Sequence, residues 1–520
     1  MGTRISETAL GISASSRNNL HSQTTSESRT DVSDVNDDSA DEATVIVANN
    51  RNTNSDTGSC NDIQAQKVNR MHNVVLNYCG GVDFSMDAGC QQFSSKMSLS
   101  NKASNAGDTI SMTTRQGGAP KMKTINRFSN FVKSGMESYI LTGSRLINTQ
   151  SSEHYEIVFN NNQIEWRGPT KIYTCTVNKP KKESKLKGLK SFIAYSLTSS
   201  LSGIQVSRRY KHFDWLHEQL SNKYLLIPIP PLPEKQVAGR YEDDLIEHRK
   251  SILQLWVSKI CRHPVLSQSE VWKHFITCTD PTKWKTGKRA AEKDEYVGGN
   301  FFHCITAPPQ PLLYDLKQIN NVDQQVENYA KSVRSMDDSI RELHDRITDT
   351  QKRMIGPYKS NWQKMALAFD SLGKSLEMDQ TRPENAVKDA LKTSAHVLHK
   401  IGTEHEDHGK KGLEPILDYL YTYKGLYTNI PEIVNVHKSS LSKLRDIKAE
   451  SRLPPGDAEA IRGRVDVTTY AMMAEISHLN QERDNDFRQM FGEFFSQQAA
   501  FYTNIGRQMA DLAENFQRAA

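Results

Sequence analysis

Apolar residues in the C-terminal part of the chain recur at intervals of three and four. Leu312, Leu316, Ile319, Val322, Val326, Tyr329, Val333, Met336, Ile340, Leu343 and Ile347 keep one helical face apolar, a seam sustained for about five heptads. A second such stretch covers 384–450 and is interrupted at 409–412. A third follows Leu453-Pro454-Pro455-Gly456 and carries Ile461, Val465, Met472, Ile476, Leu479, Phe487, Phe491, Phe494, Tyr502, Ile505, Met509, Leu512 and Phe516. A helix of about sixty residues is roughly 90 Å long. Helices of that length cannot bury their seams in a compact monomer, so the pattern predicts antiparallel neighbours and a second subunit. Pro357, Pro415 and Pro431 fall inside the helical patterns, where proline bends or breaks a helix.

Upstream the period changes to two. Ile172, Thr174 and Thr176 alternate with Tyr173, Cys175 and Val177; Ile193, Tyr195 and Leu197 share one face; Ile204, Val206 and Arg208 continue the alternation. Three strands are predicted. Helical spacing then returns at Phe213, Leu216 and Leu220. It resumes at Leu245, Arg249, Ile252, Trp256 and Ile260, and again at Val271, Phe275 and Ile276. The region reads as a compact α+β module. Before it, Phe128, Tyr139, Ile140, Ile157, Val158, Phe159 and Trp166 form a stretch too short for its own domain, which is expected to pack on its neighbours. After it, Lys283, Trp284, Lys285, Lys288, Arg289 and Lys293 make a basic segment with a thin apolar face. That segment reads first as a solvated linker and second as an interfacial helix with Trp284 at the membrane boundary. Residues 1–133 are dominated by Ser, Asn, Thr, Asp and Gly. Such a composition cannot bury enough apolar area to offset chain entropy, and the segment reads as a disordered, low-complexity arm.

Composition narrows the function classes. Of 520 residues 37% are hydrophobic and the net charge is only +5, so electrostatic function must come from local patches and a nucleic-acid partner is not expected. The mean hydropathy is −0.64. The seven cysteines are scattered without a CxxC pair, which reads as reduced cytoplasmic thiols. No apolar run approaches bilayer length and the first thirty residues lack the apolar core of a signal peptide, so membrane contact is expected to be peripheral. The chain has no GxxxxGK[ST] loop, GxSxG elbow or kinase set, and no enzyme is expected. His405-Glu406-Asp407-His408, with His396 and His399 upstream, invites a metal reading but matches no zinc spacing. It reads as a polar bundle tip, and neither a metal nor a cofactor is expected.

The candidate chemistry lies in Arg208-Arg209-Tyr210-Lys211-His212-Phe213-Asp214-Trp215-Leu216, followed by Ile227-Pro228-Ile229-Pro230-Pro231-Leu232-Pro233-Glu234-Lys235. Three cations flank one aromatic ring, which suits an anionic, ring-shaped ligand: guanidinium groups fork onto phosphate oxygens and an aromatic face covers the ring. The alternative is a solvated strand end. The proline segment also fits a PxxPxK ligand for an SH3 groove, or a loop facing a membrane. On the long helices Lys410, Lys411, Lys438, Lys443, Arg445 and Lys448 cluster. Each cation near an anionic lipid surface contributes about 1 kcal/mol, although charge clusters on long helices are commonly solvated faces.

The run from Gly188-Leu189-Lys190-Ser191 through Arg208–Leu216, with Ile227-Pro228-Ile229-Pro230, Leu232-Pro233, Lys235-Gln236-Val237, Cys261-Arg262-His263-Pro264 and Trp284-Lys285-Thr286-Gly287-Lys288-Arg289, resembles the PX domain and adjoining yoke of the sorting nexins, in the subgroup containing sorting nexin 9. The resemblance extends through the BAR bundle to the C-terminus. It implies an α+β PX domain with a three-stranded sheet at 171–281 and an all-α dimeric BAR bundle at 312–520. Residues 134–170 would be a yoke-like segment and 282–311 a basic linker or yoke helix. It further implies a phosphoinositide-binding protein that senses or generates membrane curvature in endocytosis and endosomal trafficking, at the plasma membrane, endocytic vesicles and endosomes. Carried over by position, Arg209 grips the 3-phosphate, Tyr210 stacks under the inositol ring, Lys211 adds charge, Lys235 holds the phosphate joining inositol to glycerol, and Arg249 bonds the far ring edge. Lys285, Lys288, Arg289, Lys410, Lys411, Lys438 and Lys443 are the further membrane-contact candidates. Family members also carry an SH3 domain, whose acidic Tyr-rich strand and Trp pair are not found here. The implied dynamin, clathrin, adaptor and actin-nucleation contacts thus lack that carrier. The competing reading is a soluble helical scaffold whose PX fold and PxxP segment bind protein partners.

Overall fold

Two small sheets precede the long helices. The computed structural model describes residues 131–143, 150–160, 163–178, 180–185, 190–235, 242–378, 386–450 and 454–519. The expected arm therefore lies outside the described residues except for 131–133. Helix α1 (Met136–Thr142) is entered and left through left-handed glycines, Gly135 at φ 76° and Gly143 at φ 68°. Strand β1 (Tyr155–Asn160) pairs antiparallel with β2 (Gln163–Trp166). On its other edge β1 pairs parallel with a two-residue strand far along the chain, Ile305–Thr306. Just before that strand, a 3-10 turn (Gly298–Cys304) packs under α1. A Cβ on Gly298, itself at φ 62°, would lie 2.2 Å from the Ser134 carbonyl oxygen, so only glycine lets the two backbones meet.

The second sheet contains β3 (Cys175–Val177), β4 (Lys181–Lys185), β5 (Lys190–Ser199) and β6 (Gln205–Arg209). Leu197 of β5 faces Val177 and Val206, while Ala194 faces Lys181 and Arg209. Strands β3 and β4 thus share one edge of β5, with β6 on the other. The sheet has four strands where three were expected: the first expected strand is strand only over Cys175–Val177, and β4 beyond it was not read from the sequence. Between Val177 and Lys181 the chain advances one residue more than β5 does between Leu197 and Ala194. That extra residue, together with Pro180, which has no N–H for the ladder, accounts for the break.

Helices α2 (Tyr210–Lys223), α3 (Asp243–Arg262), α4 (Glu270–Thr277) and α5 (Pro281–Glu292) follow. The basic segment is a helix and not a solvated linker. Pro281 opens α5, and Asp280 caps it by accepting from the Lys283 amide at 2.7 Å. Trp284 does not sit at a membrane boundary. It is fully buried, stacked on His274 with centroids 5.3 Å apart and covered by the Arg208 guanidinium at 4.1 Å. One large ring therefore anchors a helix whose periodicity is otherwise thin.

After the second sheet and its helices, the Ile305–Thr306 strand, β7, completes the first sheet in the order β2-β1-β7. The bundle then comprises α6 (Leu316–Arg353), α7 (Lys359–Glu377), α8 (Ala386–Asp407), α9 (Glu414–Glu450) and α10 (Pro455–Arg518). Ile319, Val322, Val326, Val333, Ile340 and Ile347 are buried along α6, as the heptad spacing demands. Pro357 falls in a π-helical turn (Met354–Tyr358) between α6 and α7. The break near 409 is a second π-helical turn (His408–Gly412). Pro415 lies in the first turn of α9, where its missing N–H costs nothing, and α9 runs on through Pro431.

Charged side chains join the two halves of this compact unit. Lys259 Nζ of α3 lies 2.6 Å from Asp486 Oδ2 of α10, and Tyr423 of α9 donates to the same oxygen at 2.9 Å. Trp166 Nε1 donates to Glu475 Oε2 at 3.1 Å, and His263 reaches the same carboxylate at 3.1 Å. Burial pushes the Glu475 carboxyl up, but His263, His478 and Trp166 outweigh it and hold it below the ordinary value. Arg464 of α10 donates to the Ile140 carbonyl of α1 at 2.7 Å.

Two outcomes are expected. Trp284→Ala should lower stability by about 3–5 kcal/mol, read by chemical denaturation; a loss indistinguishable from that of Lys285→Ala would contradict the anchoring role. His437 is fully buried, its Nε2 3.1 Å from Thr469 Oγ1, and burial pushes its pKa from 6.5 down to about 4. As pH falls through that window the unfolded chain binds the proton first, so stability present above pH 6.5 is lost toward pH 4. The melting temperature should fall accordingly, and His437→Gln should flatten the slope.

Candidate functional site

Strand alternation separates the two adjacent arginines of β6. Val206 and Arg208 point inward while Arg209 points to the opposite face. Arg208 is fully buried and donates to the carbonyls of Phe275 at 2.9 Å, Cys278 at 2.7 Å and Ser207 at 3.0 Å. It caps the C-terminal end of α4 and is not one of the cations around Tyr210. Burial pushes its pKa down to about 9.

Arg209 is the N-cap residue of α2, and Tyr210 and Lys211 occupy its first turn, which holds no acidic side chain. The positive end of the helix dipole thus adds to the local charge. Arg209 Nε donates to His212 Nε2 at 3.2 Å, and its guanidinium lies 5.8 Å from the Phe192 ring. Tyr210 donates its hydroxyl proton to the Pro233 carbonyl. Burial, reinforced by Asp214, pushes the phenol up to about 12, which keeps it a neutral donor. Arg249 of α3 lies over the Tyr210 ring at 4.8 Å and donates to the Glu234 carbonyl at 3.3 Å. Lys235 Nζ lies 2.9 Å from Asp214 Oδ2 and remains 70% exposed.

All five residues carried over by resemblance line one cleft of about 320 Å³, together with Ser191, Phe192, Ile193, Tyr195 and Asp214. Four cations face one carboxylate there, so the cleft suits a multiply charged anion. One face of the Tyr210 ring carries the Arg249 guanidinium. The proline segment packs against α3 and the bundle: Ile227, Ile229, Pro230 and Pro233 are buried, while Glu234 and Lys235 stay exposed. Trp256 Nε1 donates to the Pro230 carbonyl at 2.9 Å and Tyr421 to the Leu232 carbonyl at 2.8 Å. An SH3 ligand needs a free polyproline face, and here that face is packed away. Phe192, Tyr195 and Asp214 were not singled out from sequence; only Tyr195 carried a signal, as part of an alternating strand.

The other cationic candidates do not reach this cleft. Lys285 and Arg289 are exposed on α5, while Lys288 is half-buried, 5.2 Å from the Trp215 ring and 3.9 Å from Glu292. Lys410 pairs with Glu406 at 2.8 Å and Lys411 with Asp407 at 3.7 Å, both exposed. Lys438 and Lys443 tie elements together, reaching Glu327 of α6 at 2.7 Å and Glu137 of α1 at 2.8 Å. The histidine cluster is not a solvated tip: His405 is buried against Trp362 and Phe501, and His408 stacks on Phe501 at 4.1 Å. Among the described residues no three His, Cys, Asp or Glu side chains converge to hold a metal.

Comparison with known proteins agrees with this architecture. Residues 196–279 match the PX domain model, and 280–517 match a model described as the WASP-binding domain of sorting nexin protein. Sorting nexin lst-4 of Caenorhabditis elegans is 53% identical over 396 residues, covering 76% of this chain and 69% of that one. Human sorting nexin-33 is 35% identical over 402 residues, covering 77% and 69%. Mouse sorting nexin-18 is 34% identical over 358 residues, covering 68% and 58%. With the cleft on its PX domain and the long helices that follow it, the chain belongs to the sorting nexin family of PX–BAR proteins.

Proposed function

We propose that this sorting nexin is a non-catalytic peripheral membrane protein of endocytic and endosomal trafficking. Its PX cleft takes a phosphoinositide headgroup and its bundle, as a homodimer, senses or generates curvature. The observation that carries the reading is the convergence of Arg209, Lys211, Lys235 and Arg249 on one cleft at the start of α2. Arg209 would grip the 3-phosphate from the helix N-terminus, with Lys211 adding charge at the rim. Lys235 would exchange Asp214 for the phosphate leading to glycerol, and Arg249, held by Glu234 and Tyr210, would meet the far ring edge. The PX module is taken as 171–281 and the bundle as 312–520, with 134–170 and 282–311 as the yoke between them. Support comes from α1 and β2, which contact α10 through Arg464 and Glu475. The similarity to sorting nexins 33 and 18 supports the subgroup containing sorting nexin 9. Among the described residues no helix is long and apolar enough to cross a membrane.

Dimerisation through the bundle is supported by apolar stripes that the monomer leaves uncovered. Tyr358, Met365 and Leu372 recur every seven residues across the second kinked half of the first long helix, and Phe495 and Tyr502 do so on α10; all five are exposed, Phe495 by 64%. His405 contacts Tyr358, the first member of one stripe, and Phe501, the neighbour of Tyr502 in the other. Exposed apolar residues that recur along a helix in this way mark an interface. Lys285, Arg289, Lys410 and Lys411 remain free of inter-element pairs among the described residues and are the cations best placed for lipid. The description of the model matching 280–517 also supports a WASP partner on the bundle.

Arg209→Ala with Lys235→Ala should weaken sedimentation with phosphoinositide liposomes by about tenfold or more, since each charged hydrogen bond contributes about 1.5–3 kcal/mol. Unchanged pelleting would remove the cleft from the lipid contact, and a wild-type chain that never pellets would favour the scaffold reading. In light scattering the wild type should have a dimer mass, and Leu372→Asp with Phe495→Asp a monomer mass with unchanged helical circular dichroism. A monomeric wild type would refute the dimer.

A further inference from the structure

The lip of the cleft is built on the bundle. Pro231 to Lys235 forms the lip, which is fixed by three contacts on the PX side and two on α9. On the PX side Tyr210 donates to Pro233, Arg249 donates to Glu234, and Lys235 pairs with Asp214. On the other side Tyr421 donates to the Leu232 carbonyl at 2.8 Å, and Gly425, four residues on and so on the same helical face, lies against the Pro231 ring. A Cβ at 425 would come 2.2 Å from Pro231 Cγ, 2.6 Å from its Cβ and 2.8 Å from its Cδ. A proline ring is stiff, so the clash cannot be relieved by swinging a side-chain end away. The proline segment has to move.

We propose that Tyr421 and Gly425 of the bundle are positioning residues for the PX cleft, holding Pro231 and Leu232 so that Pro233, Glu234 and Lys235 close over the headgroup. The proposal rests on the phosphoinositide reading of that cleft. It adds that headgroup affinity is set in part by how the PX domain is docked. A second cleft of about 680 Å³ lies beside this contact, lined by Pro231, Pro233, Arg249, Tyr421 and Gly425 among others. The segment therefore has open space next to it. A Cβ at 425 would push Pro231, and with it the lip, away from α9. Because binding and docking share the segment, the coupling is reciprocal: a bound headgroup tightens the PX–bundle contact by the same factor that docking tightens the headgroup.

The test uses the whole 520-residue chain and a soluble dibutanoyl phosphatidylinositol 3-phosphate in isothermal titration calorimetry. Gly425→Ala should weaken binding by about tenfold, as overpacking shifts the lip, and Tyr421→Phe by about threefold, for one hydrogen bond. In a Lys235→Ala background both losses should shrink, because the displaced group is already gone. A merely structural effect would persist undiminished. Pro231→Gly should restore binding in Gly425→Ala by removing the ring that the new methyl meets. If Gly425→Ala fails to fold, Tyr421→Phe, which removes only a hydroxyl, carries the same comparison. Wild-type affinity in both variants, or full additivity with Lys235→Ala, overturns the positioning role and leaves the cleft assignment standing. An Arg209→Ala chain that binds like wild type overturns the cleft assignment itself.

Discussion

The arrangement of the PX domain depends on a buried arginine. Burying a guanidinium is costly unless its donors are satisfied, and Arg208 meets the condition with three backbone carbonyls, two of them beyond or within the last turn of α4. The negative end of that helix and the Trp284 face, 4.1 Å away, add to the favourable field. One side chain thereby fixes the end of α4, the start of α5 and the rotation of β6. That rotation is what turns Arg209 outward to the cleft. Replacing the guanidinium by an ammonium would lose the fork that reaches several carbonyls at once.

The junction with the bundle relies on a different use of charge. Lys259, Arg262 and His263 leave the end of α3 to meet Asp486, Glu482 and Glu475 on α10. The buried pairs among them, Lys259–Asp486 and His263–Glu475, contribute less to stability than to register, because the charges must be desolvated before they attract. An apolar patch would let α3 slide along α10. A set of paired charges admits one position. Trp166 joins the same Glu475 carboxylate, so the first sheet and the PX helix are located by a shared acceptor.

Periodicity made the bundle legible, since a seam of many turns repeats one signal, and Ile319, Val326, Val333 and Ile340 are buried as their spacing requires. Contacts made once left no such trace. Strand β7 has two residues and pairs with β1 across a long separation, too short a run to show alternation. Trp284 anchors a helix alone, and a lone indole in a basic segment looks the same whether it meets lipid or a buried arginine. Within the cleft, residue type pointed to an anion, while the individual roles came with the family resemblance. The inward turn of Arg208 was present in the sequence all along: the period of two that buries Val206 buries Arg208 as well. Gly425 could not be read, because its meaning lies in Pro231, which approaches from another domain.

These features bear on why a weak headgroup cleft would be attached to a dimeric bundle at all. If the cleft takes a phosphate at Lys235, it would exchange the existing pair with Asp214 for it, and the net gain from exchanging one exposed pair for another is small. Two clefts in one dimer convert the second encounter into an intramolecular one, and the gain depends on geometry fitting both to the same surface. A flexible tether between PX and bundle would spread the second cleft over many orientations. Charged register pairs along α10 and the Pro231–Gly425 contact restrict that spread and hold the lip as well. On the proposed reading, docking would serve affinity twice, once by shaping each cleft and once by fixing where its twin can reach.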